Sequence, residues 1–229
     1  MEFDWRHIIY PIGFLANFLF AIRFIYQWFY SEAKQKSIVN SGFWKISLLG
    51  NFVMMVHTMI QLQFGVCVIQ AWNGVISWRN LNLMKDTSKQ AKLPTVLFFF
   101  LFASGVVIMS FLIQSWVFFD GEFIWARTPT FLGKQDDLPL AWHLVGIAGV
   151  ILFASRFWVQ WWRSEMHQKS HVGRTFWWIS LIGATISAIY FIRLHDIVNC
   201  VGPTLGLIPY IRNLMLINKH RSKKAMVKS

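Results

Sequence analysis

Residues 23–36 read RFIYQWFYSEAKQK, residues 156–169 read RFWVQWWRSEMHQK, and a serine directly follows each stretch. The offset of 133 residues holds without a gap from Gly13 and Gly146 to Met84 and Ile217, and 26 of the 72 aligned positions are identical. A duplication of this size predicts two copies of one structural module, so the repeat decides the architecture.

The composition is that of a membrane protein. The chain is 55% hydrophobic, 17% aromatic and 14% charged, whereas a soluble domain has a charged fraction of about 25%. Several apolar runs reach the roughly 20 residues that a helix needs to cross a bilayer. The net charge of +12 comes from basic residues between these runs and at the C-terminal end. We therefore expect an integral all-α membrane protein that does not bind nucleic acid.

The apolar runs predict seven membrane spans in a 3+1+3 arrangement. The spans fall at about 7–30, 43–62, 64–84, 93–119, 139–162, 175–194 and 196–217. Two parallel three-helix repeats, 1–84 and 139–217, would be joined by a linker with the fourth span (85–138) and followed by a basic cytoplasmic tail (218–229). Because two directly joined three-span units would point in opposite directions, the extra span lets both insert the same way.

Charge placement predicts the orientation. Segments rich in lysine and arginine lie at 31–42, 85–92, 163–174 and 218–229, and the acidic loop lies at 120–138. The positive-inside rule then puts the N-terminus outside and the C-terminus in the cytoplasm.

Four arginines within the spans are the candidate functional groups. Arg23 and Gln27 are spaced i, i+4 on one helical face, and Arg79 and Asn80 lie near the inner end of the third span. The second copy repeats these residues as Arg156, Gln160, Arg212 and Asn213. An arginine inside a span costs about 2.5–3.5 kcal/mol on insertion scales, and guanidinium groups suit phosphate and carboxylate.

The residues predict a site for an anionic lipid headgroup near the inner leaflet, and other interpretations stay open. The arginines can instead snorkel to inner-leaflet phosphates, pair internally with Glu32 and Glu165 as structural locks, or line a solute pathway. The full candidate set for headgroup binding is Arg23, Gln27, Glu32, Lys36, Arg79, Asn80, Arg156, Gln160, Glu165, Lys169, Arg212 and Asn213.

Two further patterns bear on the spans. Gly202, Pro203, Gly206 and Pro209 are expected to kink or unwind the seventh span, which in transporters marks a binding site. The pairs Phe43-Trp44 and Phe176-Trp177 are typical of an interfacial aromatic belt. No catalytic constellation, phosphate loop or metal-ligand spacing is visible, so no cofactor or metal is expected and the catalytic residues are unknown.

The repeated motif resembles the lipid A biosynthesis N-terminal domain family. The pattern is G-x9-R-x3-QW-x2-SE-x3-KS, then FW-x2-S-x2-G, then RNL, and it occurs twice, from Gly13 to Leu81 and from Gly146 to Leu214. Members of that family are three-span proteins or a membrane module fused ahead of lipid-A-disaccharide synthase. The chain is also distantly similar to PQ-loop and SWEET-type proteins.

The resemblance implies a bacterial inner-membrane protein of lipid A or related glycolipid biosynthesis. It would bind a phosphorylated glycolipid or polyprenyl lipid and present or translocate it. The alternatives are a SWEET-like transporter of small solutes and a membrane anchor that recruits a glycosyltransferase of the lipid A pathway. The soluble synthase domain is not present in this sequence, so enzymatic activity is left open.

Overall fold

The computed structural model describes residues 6–124, 139–193 and 197–226. Within these ranges the secondary structure is helical, with no strand, and it contains one short α-helix, seven long α-helices and a 3-10 helix at Thr87–Lys89. The helices are α1 (Arg6–Ile9), α2 (Ile12–Lys34), α3 (Ser41–Ile60), α4 (Phe64–Asn82), α5 (Leu93–Phe118), α6 (Leu140–His167), α7 (Arg174–Arg193) and α8 (Ile197–Met226). The predicted all-α class is confirmed.

Five of these helices are long and apolar enough to cross a membrane, namely α2, α3, α5, α6 and α7. Helix α4 carries Asn73, Arg79, Asn80 and Asn82 on its buried side, and the last turns of α8 are basic, which lowers the hydropathy of both. The membrane class is thus supported, while the seven-span 3+1+3 plan stays a prediction. The acidic loop lies mostly outside the described residues, since 125–138 are not among them.

The described residues form two compact units. The first contains residues 6–20 and 44–124, and the second contains 21–43, 139–193 and 197–226. This division differs from the sequence repeat, because the C-terminal part of α2 belongs with the helices of the second copy. Each unit has its own set of buried contacts.

The first unit has an apolar core between α4 and α5. Leu62, Cys67, Ala71, Val107 and Phe111 are buried together there. Polar side chains fasten the helices around this core. Trp72 Nε1 donates to Ser104 Oγ at 2.8 Å, and Asn51 Nδ2 donates to Ser77 Oγ at 3.2 Å.

In the second unit, α7 contacts both α6 and α8. Glycine permits the close approach of α6 and α7, because a Cβ atom at Gly183 would lie 2.6 Å from the backbone nitrogen of Phe153. At the equivalent Gly50 in the first unit, the nearest atom would be Phe20 Cε1 at 2.7 Å, which belongs to a side chain. The two equivalent glycines are therefore under different constraints. Gly183 makes room for the backbone of the neighbouring helix, and Gly50 makes room for a side chain.

Helix α8 is continuous from Ile197 to Met226, with Pro203 and Pro209 inside it. The expected unwinding of this span is therefore wrong, while the alternative, a kink, stays a prediction. Each proline removes one i to i−4 hydrogen bond, but membrane helices tolerate such losses when neighbouring helices cover the backbone, and both prolines are buried. The helix also runs past residue 217, where the span was predicted to end.

We predict that Gly183→Ala destabilises the protein by about 1–3 kcal/mol, since the added methyl group must displace the backbone of α6. Gly50→Ala is the matched control and should be close to neutral, because the Phe20 ring can rotate and alanine gains about 1 kcal/mol of helix propensity over glycine. Thermal unfolding of both variants in detergent measures the difference. Equal losses at the two sites would contradict this interpretation of the packing.

Candidate functional site

The repeated polar motif ends α2 and α6 with the same cap. Gln35 has a positive φ of 48° and Gln168 one of 47°. The Lys36 amide donates to the Ser31 carbonyl at 3.1 Å, and the Gln35 amide donates to the Glu32 carbonyl at 3.0 Å. The second copy has the equivalent bonds at 3.1 and 3.2 Å. This is the paired hydrogen-bond pattern of a Schellman motif, with glutamine in the position that glycine usually takes.

The serine of the motif fixes the chain that follows the cap. Ser31 Oγ accepts from the Ile38 amide at 3.1 Å and from Gln27 Nε2 at 2.8 Å. In the second copy, Ser164 Oγ accepts from the His171 amide at 3.0 Å and from Gln160 Nε2 at 2.8 Å. The i, i+4 spacing of glutamine and serine therefore has a structural cause in both copies.

Gln27 also links α2 to α8. Its Nε2 donates to Asn213 Oδ1 at 2.8 Å, and Asn213 Nδ2 returns a bond to Gln27 Oε1 at 3.0 Å. Ser37 Oγ adds a bond of 2.6 Å to Asn213 Oδ1. Both amide side chains are fully buried, so they satisfy each other's polar groups away from water.

A second link joins the same two helices near the C-terminal end of α2. Arg212 holds Glu32 in a bidentate ion pair, with Nε on Oε1 and with Nη2 2.8 Å from Oε2. Lys219 Nζ donates to Gln35 Oε1 at 3.3 Å close by. Of the interpretations given for the arginines, internal pairing therefore describes Arg212, because its guanidinium group binds a carboxylate of this chain with two nitrogens.

Arg23 and Arg156 lie deeper, about midway along α2 and α6, and each is only 4% exposed. The guanidinium carbons of both face the ring of Phe157, at 5.3 Å for Arg23 and 4.9 Å for Arg156. Arg156 also lies 3.4 Å from the centroid of Phe153, and Arg23 lies over Phe43 at 5.5 Å. Desolvated cation–π contacts of this kind contribute about 2 kcal/mol.

Several buried donors in this cluster have no hydrogen-bond partner among the described residues. They are Nε and Nη1 of Arg156, the hydroxyl of Tyr210 and Nε1 of Trp177. Tyr210 connects them, since its ring lies 6.0 Å from that of Trp177 and 5.8 Å from the Arg156 guanidinium carbon. We call Arg23, Arg156, Trp177 and Tyr210, with the surrounding phenylalanines, the arginine cluster. Buried polar groups are nearly always paired in native proteins, so these donors make the arginine cluster the candidate site of the second unit.

Sequence reasoning found the two arginines and missed Tyr210 and Trp177. The Phe-Trp pairs were expected in an interfacial belt, but Phe43, Trp44, Phe176 and Trp177 are all buried, so that expectation is wrong. In both copies the Phe-Trp pair precedes a serine and a glycine on the same helix, and this pattern indicates close helix packing. Tyr210 has no aromatic equivalent, because Ser77 takes its place in the first copy.

The remaining candidate residues lie elsewhere. Arg79, in the first unit, is buried and donates from Nη1 to Asn82 Oδ1 at 2.8 Å and to the Ala91 carbonyl at 2.7 Å. Asn80 donates to the Ile76 carbonyl at 2.9 Å. Glu165 accepts from Trp161 Nε1 at 3.1 Å. Lys36 and Lys169 are exposed beside the caps. No three His, Cys, Asp or Glu side chains of the described ranges are grouped as metal ligands.

Comparison with known proteins identifies the repeat. The model of the Lipid A Biosynthesis N-terminal domain matches residues 12–82 and 145–215, which confirms the resemblance and the two tandem copies. Lipid-A-disaccharide synthases are similar over 93% of this chain, with 34% identity for Chlamydia felis and 35% for Chlamydia caviae. The chain spans about a third of the length of these relatives, 34% in both cases. No solved structure gives a significant match.

The mutual bonds of Gln27 and Asn213 predict energetic coupling. Gln27→Ala or Asn213→Ala alone should cost about 1–3 kcal/mol, because each leaves the partner amide buried without the two hydrogen bonds that these side chains exchange. The double variant should cost clearly less than the sum of the two. Unfolding in a mixed-detergent titration measures these costs. The control combines Gln27→Ala with Thr185→Ala, which removes an exposed hydroxyl that donates to the Leu181 carbonyl of its own helix, and these two costs should be additive. Additivity in the Gln27 and Asn213 pair as well would contradict the coupling.

Proposed function

The chain belongs to the Lipid A Biosynthesis N-terminal domain family, and we propose that it binds a phosphorylated lipid headgroup in the arginine cluster and presents or translocates that lipid during lipid A biosynthesis. The observation that carries the proposal is Arg156, a buried guanidinium with two unpartnered nitrogens. Guanidinium nitrogens donate only and stay charged. An anionic ligand is therefore the chemical complement of this position.

The charge balance around the cluster supports an external anion. Within the second unit the described carboxylates are those of Glu32 and Glu165. Glu32 is held by Arg212, and Glu165 accepts from Trp161. Nε and Nη1 of Arg156 contact neither of them through a hydrogen bond. Since charged groups in a membrane span are costly, two arginines at this depth are best explained by a ligand.

The depth of the cluster favours movement of the ligand over simple docking at the surface. Arg23 is the central residue of α2, which ends at Lys34, so roughly 16 Å of helix separates it from that end. Because both arginines are almost completely buried, a headgroup reaches them only when α2 separates from α6 or α8.

The other polar links then have a positioning role. We assign the Gln27–Asn213 and Glu32–Arg212 pairs to holding α2 against α8 in the closed arrangement. The basic end of α8 and the exposed Lys36 and Lys169 would face the cytoplasm, with the N-terminus outside and the protein in the bacterial inner membrane. In this proposal the two repeats follow the 3+1+3 plan.

The decisive experiment is native mass spectrometry of the protein extracted gently from its own membrane. We expect a retained phosphorylated lipid, reduced at least roughly tenfold in Arg156→Gln and in Arg23→Gln, because each variant loses a charge-assisted donor set. Arg163→Gln, which removes an exposed arginine of the same helix α6, is the control and should retain the lipid. Equal retention in folded Arg156→Gln protein would overturn the proposal.

A second candidate function is recruitment of a soluble glycosyltransferase to the membrane. The observation that favours it is the relatives' length, since they continue well beyond the region that matches this chain and are named lipid-A-disaccharide synthases. A module that is fused to an enzyme in one protein can act as its membrane partner in another. The basic segment at 218–229 would be the docking surface.

Neutralising Lys219, Lys223 and Lys224 to glutamine tests that candidate. If recruitment depends on this surface, a lipid-A-disaccharide synthase should lose most of its co-sedimentation with vesicles that contain the protein. High salt should cause the same loss with the wild type, because it screens exposed charges. Arg156→Gln is the control and should leave recruitment unchanged. Co-sedimentation that survives the three neutralising substitutions would exclude docking through this segment.

A further inference from the structure

The hydroxyl of Tyr210 is one of the buried donors of the second unit that pairing among the described residues leaves unexplained. The residue is completely buried, and its oxygen has no hydrogen-bond partner among the described residues. Its ring packs at 5.3 Å from Phe24 and at 6.4 Å from Phe153. Leaving such a hydroxyl unpaired costs about 1–3 kcal/mol, whereas a phenylalanine at this position would avoid that cost.

The helix is shaped to hold this hydroxyl. A Cβ atom at Gly206, one turn earlier in α8, would lie 2.5 Å from Tyr210 Oη. The tyrosine side chain therefore lies back along the helix over a glycine, in the direction that helical side chains prefer. Any larger residue at 206 would push the hydroxyl away from its present position.

The first copy shows what the equivalent position does without this arrangement. Ser77 stands where Tyr210 stands, and Asn73 stands where Gly206 stands. Ser77 Oγ donates to the Asn73 carbonyl at 2.8 Å, so its own helix satisfies it. The phenol of Tyr210 extends beyond the reach of its own backbone, and the exchange of both residues brings an additional donor to the arginine cluster.

The number of donors indicates the chemistry of the ligand. Arg156 offers Nε and Nη1, Tyr210 offers its hydroxyl, and Trp177 offers Nε1, so four unpartnered donors come from α6, α7 and α8. A single arginine fork already satisfies two oxygens. A phosphodiester, as in bulk phospholipids, has only two non-bridging oxygens, whereas a phosphomonoester has three and carries more negative charge near neutral pH.

We infer that the arginine cluster selects a lipid that ends in a phosphomonoester over the phosphodiester lipids of the bulk membrane, with Tyr210 and Trp177 as the residues that determine this selectivity. The inference rests on the proposed headgroup site and names its ligand class. Arg23 and Arg156 supply the attraction to any anion. Tyr210 and Trp177 supply donors for the third terminal oxygen, which the diester lacks.

The test uses the purified full chain and two probe lipids with identical acyl chains, phosphatidic acid as the monoester and phosphatidylglycerol as the diester. Binding to each is measured by native mass spectrometry or in nanodiscs of neutral lipid. The wild type should prefer phosphatidic acid by roughly tenfold, the difference expected from a hydrogen bond to a charged group. Tyr210→Phe should lower phosphatidic acid binding to the level of phosphatidylglycerol and leave the latter unchanged.

Further variants separate this inference from the proposed function. Tyr26→Phe removes a hydroxyl that pairs with Asn40 outside the cluster and should keep the preference. Trp177→Phe and Gly206→Ala should reduce it, and they serve if Tyr210→Phe does not fold. A wild type without preference, or a preference that survives in folded Tyr210→Phe and Trp177→Phe, would overturn the inference while leaving the headgroup site intact. Unchanged binding of both lipids by Arg156→Gln would overturn the headgroup site itself.

Discussion

The burial of Arg156 midway along an apolar helix is the constraint on which the second unit depends. Arg156 is almost completely buried by the protein, and buried polar groups are nearly always paired with the protein, with water or with a ligand. The faces of Phe153 and Phe157 stabilise the positive charge, but an aromatic face leaves the N–H donors in the guanidinium plane unused. The close packing of α6 and α7 at Gly183 places Phe153 and therefore positions the guanidinium as well.

The repeated motif contains residues that act for two different reasons. One group ends the helix and turns the chain, namely Gln27, Ser31 and Gln35 with their equivalents in the second copy. Their hydrogen bonds lie within the helix cap and with the segment that follows it. The arginine of the motif, Arg23 or Arg156, takes no part in that cap. Identity between the copies therefore does not mean equal function, as Arg212 shows by pairing with Glu32 while the equivalent Arg79 bonds to Asn82 and Ala91.

Much of the fold and part of the site could be predicted from the sequence. Apolar runs and the repeat predict helices and two copies, and the i, i+4 spacing places Arg23 and Gln27 on one face. Helical periodicity shows which residues share a face of a helix, but it does not show which helix that face contacts. It could therefore not show that Gln27 bonds to Asn213 or that residues 21–43 pack with the second copy. The prolines of α8 suggested a break, because local propensity carries no information about the helices that cover them. The sequence did not single out Tyr210, because the position of its hydroxyl depends on Gly206 and on Arg156, and Arg156 lies on another helix.

Divergence between the two copies explains how the residues of the arginine cluster come together in the second unit. The first copy lends Arg23 through the C-terminal part of α2, and the second supplies Arg156, Trp177 and Tyr210. A serine at position 210 could bond to its own helix, as Ser77 does, and its hydroxyl would then not be available to a ligand. Tyrosine at this position has a cost in stability while its hydroxyl is unpaired, and a ligand that accepted a hydrogen bond from it would offset that cost. The incomplete pairing of this buried cluster is the property that the proposed headgroup site accounts for and that a purely structural core does not.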